Sequence, residues 1–304
     1  MIKLRWLAVA VCLGLLIFGV VGCGGGGSSQ NDAGESESET VIENWVFAAD
    51  HEFAVRPDGL PKLEEEYGFK FDDVKIMDLG VTYGALKEEQ VAVAMGFATD
   101  GRIGAFNLVN LEDDKKFFPV YNPAPVVRKE IMDKYPEIKD ILEPIAEKLD
   151  TDTMIALNGK VDVDGMQPKE AAEEFLNDNG MLGEAVEASI GKVVVGSKEF
   201  TEQLILGQIT ILALQNAGFE VEDNTGLGGT EVARSALENG EIDMYWEYTG
   251  TCWLVALEHE EAITDSDEAY QKVKEEDLEN NNLVWLPYAP FNNTYTIMMR
   301  VVDA

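Results

Sequence analysis

Residues 192–251 read KVVVGSKEFTEQLILGQITILALQNAGFEVEDNTGLGGTEVARSALENGEIDMYWEYTGT. The apolar run at 193–195 is short enough for a buried strand, and it opens into Gly196-Ser197-Lys198. Residues 201–217 then carry apolar side chains at helical spacing and stop at Gly218. Residues 219–221 are strand-like, 230–238 are helical again and stop at Gly240, and 242–245 return to strand. Glycine supplies the left-handed residue that ends a helix, so these stops are physical punctuation. Strand and helix alternating in this way indicate an α/β layer structure.

The pattern continues outward. Residues 45–49 (WVFAA), 74–77, 91–97 (VAVAMGF) and 107–111 read as strands, with short helices at 64–67 and 84–89. From Pro125 the spacing becomes helical over 127–135, 138–149, 151–158 and 168–177. Asp150 or Thr151 is an N-cap candidate and Asn179-Gly180 a stop. The last strands are expected at 283–286 and 294–302, and the sequence ends at Val301-Val302-Asp303-Ala304 without a cap or tail. The length suits two α/β lobes. The division expected is 41–118 as one continuous lobe, 119–290 as the other, and 291–304 as a strand that crosses the hinge back to the first.

The beginning of the chain reads as an export signal. Lys3 and Arg5 precede an apolar run at 6–21, and Val20-Val21-Gly22-Cys23 places a cysteine where the small-residue pattern ends. The run is short for a membrane span. Residues 1–22 are therefore expected to be a lipoprotein signal peptide, with Cys23 lipidated and the protein held on the outer side of the cell membrane. An ordinary signal peptide or an uncleaved anchor is the competing reading. Residues 23–40 continue as GGGGSSQNDAGESESET after Cys23, a low-complexity tether with no core-forming side chains.

Composition excludes several functions. The formal charge of −34 leaves no basic surface for nucleic acid. Of the 3 cysteines, Cys12 would leave with the signal and Cys23 would carry lipid, so Cys252 has no partner for an intramolecular disulfide. The 2 histidines, His51 and His259, lie far apart. No HExxH, CxxC, GxSxG or P-loop pattern occurs, so neither a metal, a cofactor nor an enzyme activity is expected.

Two kinds of residue could carry binding chemistry. The turn at 196–203 opens a helix, whose N-terminus favours an anion, and Lys198 adds a full charge. A solvated lysine on a capped turn is the competing reading. Aromatic residues stand at strand ends in Tyr245-Trp246-Glu247-Tyr248-Thr249-Gly250-Thr251, in Asn292-Asn293-Thr294-Tyr295 and in Val81-Thr82-Tyr83. Rings grouped around a methylated ammonium would each contribute about 0.5–2 kcal/mol. Ordinary packing would place the same residues in the core.

Several stretches together resemble one family. They are VGSKEFTEQLILGQI, GLGGTEVARSALENGEIDMYWEYTGT, PFNNTY, EFAVRPDGL, VTYGAL, FATDGRI and LEDDKKFFPVYNPAPVVR, with a YPEI…LDTDTMIALN…EFL segment. In this spacing the chain is similar to the extracytoplasmic glycine betaine/carnitine/choline-binding proteins of ABC importers. The resemblance implies a two-lobe, type II periplasmic-binding-protein fold with the ligand in the inter-lobe cleft, no catalysis, and as partners a quaternary ammonium molecule, an importer permease and the membrane. It implies an ammonium cage of Tyr248, Tyr295, Tyr83 and Phe97, and carboxylate contacts from Lys198, Arg56 and Thr251. Phe97 stands where the family usually has tyrosine, and Trp246 replaces a common proline. The order also departs: relatives run from the GSKEFTEQ-like strand through NNTY to EFAVRPDG, whereas here the EFAVRPDG half comes first. A circularly permuted monomer is the expectation, in osmoprotection or nutrient uptake. A surface sensor that passes nothing to a transporter, or a fragment of a tandem binding protein, would leave the same motifs.

Overall fold

A computed structural model of the chain describes residues 42, 44–184, 186 and 190–304. The signal peptide, Cys23 and the tether lie outside the described residues. Among the described residues there are ten strands: β1 Val46–Ala49, β2 Asp73–Ile76, β3 Val93–Phe97, β4 Leu108–Asn110, β5 Pro123–Arg128, β6 Lys192–Gly196, β7 Glu220–Asn224, β8 Met244–Tyr248, β9 Leu283–Trp285 and β10 Tyr295–Arg300. They form two five-stranded sheets, ordered β2-β1-β3-β10-β4 and β7-β6-β8-β5-β9.

The two sheets share one topology. In each, the first strands run parallel, as strands joined through helices must. In each, the fourth position is held by an antiparallel strand from the other half of the chain. Helices cover both sheets, and one apolar core forms on the second sheet around Leu142, Ile205, Trp246 and Phe291. Another forms on the first around Phe47, Phe53 and Met95. This is the two-lobe α/β arrangement of the type II fold.

Two expectations need correction. Residues 127–135 do not form one helix: β5 extends to Arg128, and only Lys129–Lys134 is helical. Pro123 and Pro125 hold the residues before them extended. Their carbonyls accept from Ala289 N at 2.8 Å and Leu286 N at 2.9 Å, which fixes the segment in the sheet. The helix Ser266–Asn281 has no counterpart in the sequence reading. Its buried residues are only Ala269, Tyr270, Val273 and Asp277, too few for an apolar stripe to stand out.

That helix is held by charge instead. Arg234 donates to both carboxylate oxygens of Asp277, at 2.9 and 2.5 Å, and Trp285 Nε1 donates to Asp277 at 2.7 Å. Asp277 is fully buried. Removing one partner of such a pair strands the other charge without water. Asp277→Ala should therefore lower unfolding free energy by about 3–5 kcal/mol, measured by urea denaturation. A loss below about 1 kcal/mol would show that the pair is solvated.

Candidate ligand-binding cleft

The two sheets face each other across a cavity of about 860 Å³. That is within the range of small-molecule sites. Two crossovers pass beside it, and they are bonded to each other. Tyr121 N donates to Asn292 Oδ1 at 2.8 Å, Asn122 Nδ2 to the Phe291 carbonyl at 2.8 Å, and Asn293 N to the Tyr121 carbonyl at 3.1 Å.

Aromatic rings line the cavity from both sides. Tyr295 opens β10 directly opposite Phe97, the last residue of β3, so their rings lie 5.1 Å apart. Phe200 lies 5.3 Å from Phe97 and stacks on Tyr248 at 6.2 Å. Tyr121 meets Tyr295 edge-on at 5.4 Å. Of the four aromatic residues expected from sequence, Tyr248, Tyr295 and Phe97 border the cavity.

Tyr83 does not, which corrects that expectation. It lies inside the helix Leu79–Lys87, fully buried with Leu86, Ala94 and Met298 on the far side of β3. Its hydroxyl accepts from Phe97 N at 2.8 Å, and the Arg102 guanidinium covers its ring at 4.3 Å. Gly96 makes this approach feasible, because a Cβ there would stand 2.7 Å from the Tyr83 hydroxyl. Tyr83 supports the aromatic wall from behind. Phe200 and Tyr121 are the rings that sequence reasoning missed. Phe200 was legible only as the residue before a helix, and Tyr121 only as part of the LEDDKKFFPVYNPAPVVR stretch.

Arg56, Lys198 and Thr251 all border the cavity. Arg56 Nη2 lies 3.3 Å from Thr251 Oγ1, and its guanidinium is 5.4 Å from the Tyr295 ring centre. Each cation already has a buried carboxylate. Arg56 binds Asp58 through Nε at 2.7 Å and Nη2 at 2.6 Å, and Lys198 Nζ binds Glu247 at 2.7 Å. Lys198 Nζ also reaches Thr230 Oγ1 at 3.1 Å. Glu52 crosses the cleft to take Thr230 N at 2.6 Å and Thr230 Oγ1 at 3.0 Å. Burial works to raise the Glu52 pKa, but the Lys198 charge and the Thr230 N–H outweigh it and hold it below the usual carboxylate value.

Glu202 is another of the acidic groups that line the cavity. It is buried in the helix Thr201–Asn216 and accepts from the Tyr248 hydroxyl at 2.7 Å and from Asn293 Nδ2 at 2.9 Å. Burial pushes its pKa up to about 7, against the hydrogen bonds from Thr99, Tyr248 and Asn158. Burial, then the nearby Glu202, raises the Tyr248 phenol well above its ordinary value. The rings and surplus carboxylates can hold a cation with apolar surface. Among the described residues no cluster of metal ligands occurs.

The fold is a two-lobe α/β arrangement with one aromatic-lined cavity between its sheets. The chain belongs to the OpuAC family, the substrate-binding domain of ABC-type glycine betaine transport systems, whose match covers residues 29–178 and 191–303. It is 47% identical over 139 residues to a glycine-betaine-binding protein of Pseudomonas aeruginosa, covering 45% of each chain. It is 39% identical over 122 residues to a carnitine transport binding protein of Listeria monocytogenes, covering 40% of each. A solved structure titled as a glycine betaine/carnitine/choline ABC transporter is 34% identical, covering 45% of this chain and 50% of that one, with a TM-score of 0.36. The chain thus spans less than half the length of the curated relatives it matches.

Tyr83 gives a direct check on the site's outline. Tyr83→Phe should cost about 1–3 kcal/mol of stability, because Phe97 N–H loses its acceptor. Affinity for a ligand in the cleft should stay within about twofold, since a change of 0.4 kcal/mol is all that twofold requires. A tenfold loss of affinity at unchanged stability would return Tyr83 to the cavity wall.

Proposed function

We propose that the chain is an extracytoplasmic substrate-binding protein that captures a quaternary ammonium compound of the glycine betaine, carnitine or choline class. It would hand this ligand to the permease of an ABC importer, in osmoprotection or nutrient uptake, while held to the membrane through lipid on Cys23. The observation that carries the reading is the facing of Phe97 and Tyr295 from one side with Phe200 and Tyr248 from the other, around one cavity. A tetra-alkylated nitrogen has no N–H to satisfy, so ring faces and diffuse negative charge suit it better than hydrogen-bond acceptors do.

The carboxylate of a betaine would lie toward Arg56, Lys198 and Thr251. Their existing partners do not exhaust them: an arginine carries five N–H donors and a lysine three. Closure would shed water and strengthen these contacts. The reversed order of the halves is read as a circular permutation acting as a monomer. It is supported by one cleft drawing on both halves, and by matches to single relatives that stop below half of either chain.

Calorimetry of the chain from Gly24 onward against glycine betaine, carnitine and choline tests the class. At least one should bind with one site per chain, and no binding by any would reject the reading. Tyr248→Ala should weaken binding at least about tenfold, near 1.4 kcal/mol. Arg56→Ala should penalise glycine betaine far more than choline, which has no carboxylate. Equal losses for both would assign Arg56 a purely structural role. Sedimentation equilibrium should return the monomer mass, and a dimer would point to exchange of β10 between chains.

A further inference from the structure

The surroundings of Glu202 require one more proton than the neighbouring side chains supply. Its Oε2 lies 2.6 Å from Thr99 Oγ1, and the same Thr99 Oγ1 lies 2.8 Å from Asn293 Oδ1. A hydroxyl has one hydrogen, so Thr99 can donate along only one of these contacts. With Glu202 ionised, the other would be a bare oxygen–oxygen contact in a buried site. A proton on Glu202 Oε2 removes the conflict. It is donated to Thr99 Oγ1, which in turn donates to Asn293 Oδ1. Asn293 Nδ2 and the Tyr248 hydroxyl still serve Oε1, and Asn158 Nδ2 serves Oε2 at 3.1 Å.

Reassigning the amides does not help. Exchanging the Asn293 atoms sets its oxygen against Glu202 Oε1, 2.9 Å away, and only moves the unpaired contact. Exchanging those of Asn158 sets its oxygen against the Thr99 carbonyl, 2.9 Å away.

The charges on the elements packed around Glu202 are committed elsewhere. Beyond β3, Asp100 is bonded by Arg102 at 2.9 and 2.5 Å, and Arg102 also faces Asp162 of the helix Thr151–Asp162 at 3.3 Å. In the turn after β6, Lys198 is paired with Glu247 of β8. Across the cavity, Arg56 is held by Asp58 and Glu52. Tyr248 and Tyr295 contribute neutral phenols, kept so by burial. Among the described residues no cation pairs with Glu202, and Glu202 borders the cavity.

We propose that Glu202 is the charge partner of the ligand's ammonium group, neutral without ligand and ionised when the cation binds. This rests on the quaternary ammonium reading above. The carboxyl O–H bond breaks heterolytically, the oxygen keeps the electron pair, and the proton passes to buffer. The carboxylate then attracts the ammonium by charge alone, and a tyrosine hydroxyl donating to it makes the Tyr248 ring face more negative. Binding and proton loss are thereby linked, so raising the pH through the range where free Glu202 titrates should tighten binding. Thr99, Asn158, Tyr248 and Asn293 come from four separate segments, so they act as positioning residues for this group.

Titration calorimetry of the wild type with choline and with glycine betaine, in phosphate and in Tris, reads the proton directly. Neither compound titrates near neutrality. At pH 7 the observed heat should differ between buffers, corresponding to release of about half a proton per ligand, and affinity should rise about tenfold from pH 6 to pH 8. Glu202→Gln should bind with buffer-independent heat and a flat pH profile. Should that variant fail to fold, the wild-type buffer comparison decides alone. Binding whose heat and affinity are unchanged by buffer and pH overturns the proposal and leaves the ligand class standing. Failure of glycine betaine, carnitine and choline alike to bind at any pH overturns the ligand class, and this proposal with it.

Discussion

Tyr295 stands opposite Phe97 because β10 runs antiparallel between β3 and β4, and the cleft depends on that insertion. The second sheet makes the reciprocal arrangement: β5 runs antiparallel between β8 and β9, with Pro123 opposite Tyr248. Each crossing strand carries or faces a cleft tyrosine at the end where the chain passes between sheets. A one-residue slip in either ladder would turn that ring to the other face of its sheet. The crossovers are also hydrogen-bonded to each other through Tyr121, Asn122 and Asn293, which ties the two registers together. The aromatic wall of the cavity is thus assembled from distant sequence yet fixed by regular backbone pairing.

That scaffold accepts an unusual density of charge. Arg56 and Lys198 are almost fully buried, and burying a lone cation would cost several kcal/mol. Asp58 and Glu247 offset this, and the Tyr121 hydroxyl adds a bond of 2.5 Å to Asp58. Glu52 then spans the gap to the first turn of the helix Thr230–Glu238, where free N–H groups favour an anion. Gly229 makes room for it, since a Cβ there would lie 2.1 Å from Glu52 Oε1. The cavity is lined by Asp50, Glu52, Asp78, Asp100, Asp162, Glu199, Glu202 and Glu231 against Arg56, Arg102 and Lys198, so its wall has more acids than bases. A cation gains from that balance even where it makes no hydrogen bond.

How much of this can be read from residues alone depends on whether the feature is local. The strand-helix-strand rhythm of 192–248 was legible because glycine stops and apolar periodicity act over a few residues. Phe97, Tyr248 and Tyr295 were legible through motifs that place them at strand ends. Tyr83 was not, because its motif fixes its neighbours but not which face of the helix Leu79–Lys87 it occupies. Thr82, Ala85 and Leu86 share its buried face, and the core claims it. The pairing of Lys198 with Glu247 lies 49 residues apart and leaves no local trace. Glu202 looks like any acidic residue in a first helical turn until four other segments close over it.

The proposed reversal of the two halves asks little of this architecture. Parallel neighbours within each sheet are joined by helices inside one half, while β5 and β10 are the links between halves. Moving a chain break from one inter-element loop to another leaves each of those pairings intact, because register is set by strands and not by the order in which they are made. On that reading the cost falls on the join between the helix Pro168–Asp178 and β6. Its described end is closely fitted: Ile190 N donates to the Gly218 carbonyl at 3.1 Å, and Gly191 packs so tightly on Tyr135 that a Cβ would lie 2.1 Å from the phenol oxygen. These contacts at Ile190 and Gly191 restrict the approach to β6. The cleft can then keep its shape whichever half is synthesised first.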